Sequence, residues 1–505
     1  MSIEHFDVVI IGAGLSGVGA AYRLQTKCPK KRYTIFEARP EIGGTWDLFR
    51  YPGVRSDSDM FTLAYPFRPW KEAKAIADGP AILKYVRETA QEFGIDGNIR
   101  FQHKVVSASW SSKDSRWLLE VQNTATNKAS QCTCDFLYGC TGYYRYESGY
   151  QPEFPGFERF RGRFVHPQLW PEDLDYAGKK VVVIGSGATA VTLVPAMSGE
   201  AAHVTMLQRS PSYILSLPSE DGLANLLRRN LPPKVAHRIV RWKNILVGLA
   251  LFQLCKRAPA FARKLLRKGA VKSLPKNYEV DTHFNPRYEP WDQRLCFIPD
   301  NDLYRTIRKG RASVVTGEID SLTEDGILLK SGQHLPADIL VSATGLQMLA
   351  LGGVRLVVDG APISPGHTFV YKGTMLSNVP NFAFCVGYTN ASWTLRADLA
   401  SIFLTRVLNH MQRKGYRTCT PVCDSPSMET RPLLNLTSGY VMRAAADLPK
   451  QAVKKPWIIR QNYLLDLLTM RLSRMEDGVL KFGATSPAAS VNASQPALTA
   501  RSATD

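Results

Sequence analysis

Two short glycine-rich runs stand where backbone amides could cradle a pyrophosphate. The first is Gly12-Ala13-Gly14-Leu15-Ser16-Gly17, following the apolar run Val8-Val9-Ile10-Ile11. The second is Gly185-Ser186-Gly187-Ala188-Thr189-Ala190, following Val181-Val182-Val183-Ile184 and continuing into Val191. Each reads as a buried parallel strand, a tight turn and a helix start, the geometry that presents N–H groups to a phosphate. One such run is a weak signal. Two, each in that context, imply two dinucleotides on one protein and electrons passing between them.

The residues that follow the runs distinguish the two sites. Roughly twenty residues past the first, the strand Tyr33-Thr34-Ile35-Phe36 ends in Glu37, a carboxylate that can accept ribose hydroxyls and repel a 2′-phosphate. At the matching place in the second unit, Val204-Thr205-Met206-Leu207 is followed by Gln208-Arg209-Ser210, which sets a planar cation where a 2′-phosphate would lie. The third glycine of the second run is replaced by Ala190, which the fingerprint tolerates. FAD is therefore expected at the first site and NADPH at the second. The plain alternative for Glu37 and Arg209 is solvated strand-end charge.

These loops require α/β architecture: two Rossmann-like dinucleotide-binding domains, for FAD and NADP, with a helical insertion in the NADP domain. The expected divisions are a first part of the FAD domain at 1–145 and a linker with the first part of the NADP domain at 146–218. A helical insertion follows at 219–292, then the second part of the NADP domain at 293–345. The second part of the FAD domain is expected at 346–482, and a disordered Ala/Ser/Thr-rich tail at 483–505. Asp135-Phe136-Leu137-Tyr138-Gly139-Cys140-Thr141-Gly142 is echoed by Ala337-Asp338-Ile339-Leu340-Val341-Ser342-Ala343-Thr344-Gly345, as two related folds in tandem would require.

At 505 residues the chain is too long for one core. The nine cysteines are scattered, and neither Cys132/Cys134 nor Cys419/Cys423 has metal-ligand spacing and companions; reduced thiols and no metal are expected. No apolar stretch reaches the about 18 residues of a spanning helix, and no leader sequence is apparent, so a cytoplasmic protein is expected. The net charge is +19, from 63 Lys and Arg against 44 Asp and Glu, much of it between Arg228 and Lys276 with apolar residues interleaved at helical spacing. That segment is either a helical subdomain with a solvated basic face or a basic amphipathic surface on the inner face of the membrane. No recognition motif accompanies the charge, so nucleic acid is not expected as a partner.

Two longer stretches carry more information. Gly43-Gly44-Thr45-Trp46-Asp47-Leu48-Phe49-Arg50-Tyr51-Pro52-Gly53-Val54-Arg55-Ser56-Asp57 follows the first unit, and Phe160-Arg161-Gly162-Arg163-Phe164-Val165-His166-Pro167-Gln168-Leu169-Trp170-Pro171 lies between the two. They resemble, at every specified position, the two fingerprints of the Baeyer–Villiger flavin monooxygenases, G-G-x-W-x-x-x-x-Y-P-G-x-x-x-D and F-x-G-x-x-x-H-x-x-x-W-P. The resemblance runs from about residue 5 to about 480. It implies an enzyme dependent on FAD, NADPH and O₂, in which reduced flavin forms a C4a-peroxide. That species converts ketones to esters or lactones and, when protonated, oxygenates the sulfur of thioethers and thioamides.

The resemblance also implies roles. Arg294, in Trp291-Asp292-Gln293-Arg294-Leu295-Cys296, is the fixed cation for the anionic oxygen species, and Asp57 is its partner near the flavin. Gly44, Thr45, Trp46, Asp47, Leu48, Arg55, Ser56 and Val105 are expected around FAD. His166 and Trp170 are expected in a hinge between the domains, and Trp393 either at the mouth of the active site or in the core. Many members of this family carry Lys where this chain has Gln293, which leaves more of the NADP phosphate to Arg209. Three competing readings remain. The first is a sulfur- or nitrogen-oxidising monooxygenase that makes no esters. The second is a flavin disulfide reductase, for which Cys132 and Cys134 precede the wrong strand. The third is a non-catalytic nucleotide-binding protein at the membrane.

Overall fold

The computed structural model describes residues 3–424 and 428–484; the tail expected at 483–505 lies, apart from its first two residues, outside them. The described chain builds two sheets around the two glycine runs. In the first, Glu4–Ile11 lies between Tyr33–Phe36 and Ala129–Gly139, parallel to both, and Ile99–Arg100 extends the edge. Arg116–Asn123 and His103–Ser111 continue the far side as antiparallel strands. In the second sheet the order is Ala312–Thr316, His203–Gln208, Lys180–Ile184, Ile339–Ser342 and Arg163–Val165, all parallel. The continuous apolar strands Val8–Ile11 and Val181–Ile184 are buried on both faces: helices cover one, while Val9 and Ile11 cluster with Val105, Trp110 and Trp117, and Val182 and Ile184 with Leu322, Ile327 and Leu329.

In each sheet the strand that ends in glycines is flanked by one neighbour reached through the following helix and another reached from far along the chain. The glycine turns therefore sit at topological switch points, where a crevice opens at the strand ends. The conformations explain the residue type. Gly12 has φ +102° and a Cβ there would lie 2.7 Å from the Cys140 carbonyl oxygen; Gly185 has φ +136° and its Cβ would lie 2.3 Å from that of Ala343. At Gly17 a Cβ would fall 1.9 Å from the Gly12 oxygen, so glycine there lets the helix Leu15–Lys27 pack on the turn.

The chain returns to the first sheet late. Arg355–Val358 pairs in parallel with His103–Ser111, and Phe382–Phe384 with Ala129–Gly139. The long helix Trp393–Lys414 then packs on Leu15–Lys27. Between the sheets the chain crosses twice, as Tyr144–Gly149 and Leu346–Met348, and the two crossings pair as antiparallel strands. The helices Gly222–Asn230, Pro233–Arg257, Pro259–Ser273 and Val280–Phe284 leave after Ile214–Leu217 and return to Cys296–Pro299, which pair in parallel. Leu480–Gly483 pairs with Thr418–Pro421, so the ordered chain reaches beyond 482.

Candidate active site

Two cavities open at the two switch points and share one wall. The first, about 490 Å³, is floored by Gly12 and Gly14 and lined by Ser16, Glu37, Thr45, Trp46, Ser56 and Val105. Gly44, at φ +57°, comes so close to Gly14 that its Cβ would lie 3.2 Å from the Gly14 Cα; the two backbones form one side of the cradle. Glu37 is 6% exposed and accepts from Ala13 N–H at 2.7 Å and from Arg39 N–H at 2.9 Å. Desolvation dominates its titration and pushes its pKa up, against those two backbone hydrogen bonds. A buried carboxylate against the glycine turn is the group a ribose hydroxyl needs, and the cavity accommodates FAD on these residues.

The second cavity, about 740 Å³, is lined by Gly185, Ser186, Gly187, Ala188, Thr189, Arg209 and Ser210. A Cβ on Gly187 would meet nothing within 4 Å, so this backbone faces open space at the start of the helix Ala188–Met197. Ser186 Oγ bonds the Ser210 carbonyl at 3.0 Å and Ser212 Oγ at 2.9 Å, tying the turn to the segment that carries Arg209. Arg209 is exposed and forms no ion pair among the described residues. Gln293 also lines this cavity. An exposed guanidinium, with Glu318 near enough to feel its charge, and an amide beside a helix N-terminus suit a phosphorylated dinucleotide.

Asp57, Tyr144 and Arg294 line both cavities. Arg294 Nη2 lies 3.0 and 3.1 Å from the two carboxylate oxygens of Asp57, and its side chain is 32% exposed because it faces the cavities. Burial works against its charge, yet the Asp57 carboxylate and the phenols of Tyr143, Tyr440 and Tyr144 leave the guanidinium more firmly protonated than a free arginine. The loop that carries Asp57 is pinned on both sides. Arg55 bonds Asp302 at 2.5 Å, at the start of the helix Asp302–Arg308. Asp59 caps the helix Met60–Leu63 through Thr62 N–H. The far end of that short helix is held by Arg241, whose Nη1 donates to the carbonyls of Phe61, Thr62 and Ala64.

Six residues expected at the cofactors line neither cavity. Arg55 pairs with Asp302 through Nη1, while its buried Nη2 has no hydrogen-bond partner. Asp47, 2% exposed, is held by Arg39 at 2.5 Å and by Arg50 and Arg87 at 3.6 Å; it positions the helix Thr45–Leu48 from behind. Leu48 lies beyond Thr45 and Trp46 on that same single turn. Gly17, Ala190 and Val191 are buried where the first helical turns meet their sheets. In each case the fingerprint marks packing that shapes the cradle.

Trp393 belongs to the cavity: it lines the first one, and its Nε1–H donates to Ser16 Oγ at 2.8 Å. His166 lies at the double crossing. Its Nδ1 accepts from Gln168 N–H at 3.2 Å, which leaves Nε2–H to donate to the Gly345 carbonyl at 3.2 Å. Desolvation lowers its pKa, so the ring is a neutral tie between the crossings. Its face fits against Gly149, where a Cβ would overlap the ring at 1.9 Å. Trp170 packs beside the core of the second sheet.

Sequence reasoning overlooked three groups. Gln168, 1% exposed, donates to the carbonyls of Arg145 and Tyr146 and fixes the first crossing; its place inside the second fingerprint was the available signal. Tyr143 and Tyr440 surround Arg294, and Arg443 lines the second cavity with its guanidinium 3.4 Å from the centre of the Tyr150 ring. The cysteines form no disulfide, and neither Cys132 nor Cys134 lines a cavity. Burial pushes the Cys132 thiol up to about 12 and the Cys134 thiol well above its usual range. Cys132 and Cys134 are therefore not a redox pair beside the first cavity; Cys140 lines that cavity, and burial pushes its thiol well above the usual range.

Residues 6–231 match the family model described as Flavin-binding monooxygenase-like. The chain is 52% identical to the FAD-containing monooxygenase EthA of Mycobacterium tuberculosis, over 95% of this chain and 98% of that protein. Among solved structures, an oxidized steroid monooxygenase bound to NADP superimposes with a TM-score of 0.74 at 21% identity, over 95% of this chain and 100% of that one. OTEMO in complex with FAD and NADP does so with a TM-score of 0.69 at 21% identity, over 83% and 87%. At that identity the two structures speak for the fold, and the fold is theirs. The identity to EthA over nearly the whole length settles the family: this chain belongs to the flavin-binding, FAD-containing monooxygenases.

Proposed function

We propose that the chain is an NADPH- and O₂-dependent monooxygenase that converts ketones to esters or lactones and also oxidises thioethers and thioamides at sulfur. One observation carries this reading: the Asp57–Arg294 pair stands on the wall common to the two dinucleotide cavities. When bound, FAD and NADPH supply hydride transfer and the reduction of O₂; the chain's own residues supply position, charge and exclusion of water.

Glu37 holds the adenosine ribose of FAD, with Ser16, Thr45, Trp46, Ser56 and Val105 around the rest. Arg209 takes the 2′-phosphate of NADPH, with the Ser186–Thr189 backbone under the pyrophosphate. Negative charge develops on oxygen as a nucleophile adds to a carbonyl, and Arg294 keeps a permanent cation there because a guanidinium does not surrender its proton at working pH. Asp57 positions that cation. Tyr143, Tyr144, Tyr440 and Trp393 wall the space around it. His166 and Gln168 tie the crossings about which the second unit moves relative to the first.

The test is a panel of linear, cyclic and aromatic ketones and of thioethers, incubated with FAD-loaded protein, NADPH and air. NADPH consumption is corrected for hydrogen peroxide and products are identified by mass. Ester or lactone from at least one ketone is expected. S-oxide without ester from any ketone would restrict the activity to heteroatoms, and NADPH oxidation yielding only peroxide with every compound would remove the reading.

A further inference from the structure

From Gly222 to Lys276 the chain carries fourteen Lys and Arg and no Asp or Glu. The helix Pro233–Arg257 in this segment is apolar on two sides. One side buries Ala236, Val240 and Ile245 against the body. The other presents Val235, Ile239, Trp242 and Leu246, spaced by four, three and four residues and between 36% and 50% exposed. That spacing places them in one stripe, on a face that a solvated helix would make polar.

Two further helices extend the apolar surface. Tyr463–Leu472 meets the first helix edge-on through Tyr463 and Trp242, with ring centroids 6.0 Å apart, and exposes Leu465, Leu468 and Leu472 by 40% to 73%. Pro259–Ser273, bent 114° from its predecessor, exposes Phe261 and Leu265 beside Lys264, Lys268 and Lys272. Those three lysines, with Lys234 and Arg238, form no ion pair among the described residues.

We propose that these helices dock the protein onto the surface of an anionic lipid bilayer, with the leucines and Trp242 entering the headgroup boundary and the basic side chains meeting lipid phosphate. This rests on the helices alone and does not depend on the reaction proposed above. Exposed apolar stripes among unpaired cations are the composition of an interfacial helix. A second copy of the chain is the poorer occupant, since a two-fold contact would press unneutralised cations against their equivalents. Among the described residues no single helix is long and apolar enough to cross a membrane; Pro233–Arg257 and Pro259–Ser273 reach that length and composition only together, across a 114° bend, and the fourteen cations of the segment favour the headgroup boundary over the bilayer interior. Arg241, on the buried side of the same helix, holds the segment just beyond Asp57, so the proposed docking helix is tied directly to the loop that carries Asp57.

The test uses full-length, FAD-loaded protein sedimented with vesicles of phosphatidylcholine alone or containing about one-third phosphatidylglycerol. Partition onto the anionic vesicles is expected to be at least about tenfold stronger and to fall as salt is raised. The variant Trp242→Ser/Leu246→Ser/Leu468→Ser should lose about tenfold or more of that partition, and Lys264→Gln/Lys268→Gln/Lys272→Gln should lose a comparable factor. Retained flavin absorbance reports that each variant is folded. Equal sedimentation with both vesicle types or with neither, or flavin-loaded variants that partition like the parent, would overturn the proposal. So would dimerisation through this surface that competes with vesicles.

Discussion

At the scale of the residue, charge placement divides the two cavities. Arg209 is exposed at the second cavity and forms no ion pair among the described residues, so Arg209→Ala is expected to cost about 2 kcal/mol of NADPH binding while NADH is little affected. The ratio of kcat/KM for the two nucleotides should fall by about thirtyfold; an unchanged ratio would assign the phosphate elsewhere. The placement of Glu37 and Arg209 on the two cavities was legible in the sequence because a strand of known length follows a glycine turn. Asp47 and Arg55, expected beside the cofactor, line neither cavity. A fingerprint marks residues that shape a cradle as firmly as those that line it, and the structure pairs Asp47 with Arg39 and Arg55 with Asp302. Arg443 carried no signal at all, since nothing local brings it to the face of Tyr150.

At the scale of the element, glycine turns and one helix make the sharpest expectations. Gly17→Ala drives a methyl to 1.9 Å from the Gly12 oxygen, and the helix cannot retreat without opening the turn. A loss of about 3 kcal/mol or more, with flavin lost on purification, is expected and is read from the thermal midpoint and the visible absorbance. The helix Pro233–Arg257 carries His237, 3% exposed, whose pKa burial lowers to about 4, with the neighbouring Arg241 adding to the effect. Above its ordinary value near 6.5 the ring is neutral in folded and unfolded chains alike, and its titration contributes nothing to the pH dependence. As pH falls from about 6.5 toward 4 the unfolded chain takes up the proton first, so stability declines, by up to about 3 kcal/mol. In His237→Leu that part of the acid-side loss should vanish from the dependence of the thermal midpoint on pH; an unaltered profile would show that His237 does not titrate there. The sequence showed that this helix is basic and apolar, but it did not show which apolar side is buried. Ala236 and Val240 on one side and Val235 and Ile239 on the other have the same composition, and tertiary packing decides between them.

At the scale of the whole molecule, the two sheets meet so that their switch points face one another across Asp57 and Arg294. The α/β class and both cradles could be read from period and spacing. The late return of the chain to the first sheet was expected, but its strands could not be placed: Arg355–Val358 and Phe382–Phe384 are too short to show a period. The closing of the two cavities on one ion pair was invisible to spacing, because Asp57 and Arg294 are brought together across 237 positions by both units at once. That shared wall is the centre of the account, and one measurement tests it directly. FAD-loaded Arg294→Ala is mixed with NADPH without oxygen and the bleaching of the flavin is followed; air and a ketone turned over by the parent are then admitted. Bleaching at close to the parental rate is expected, with ester reduced by about a hundredfold or more and hydrogen peroxide formed instead. Ester formation at the parental rate would contradict the claim that this guanidinium serves the oxygen-transferring step.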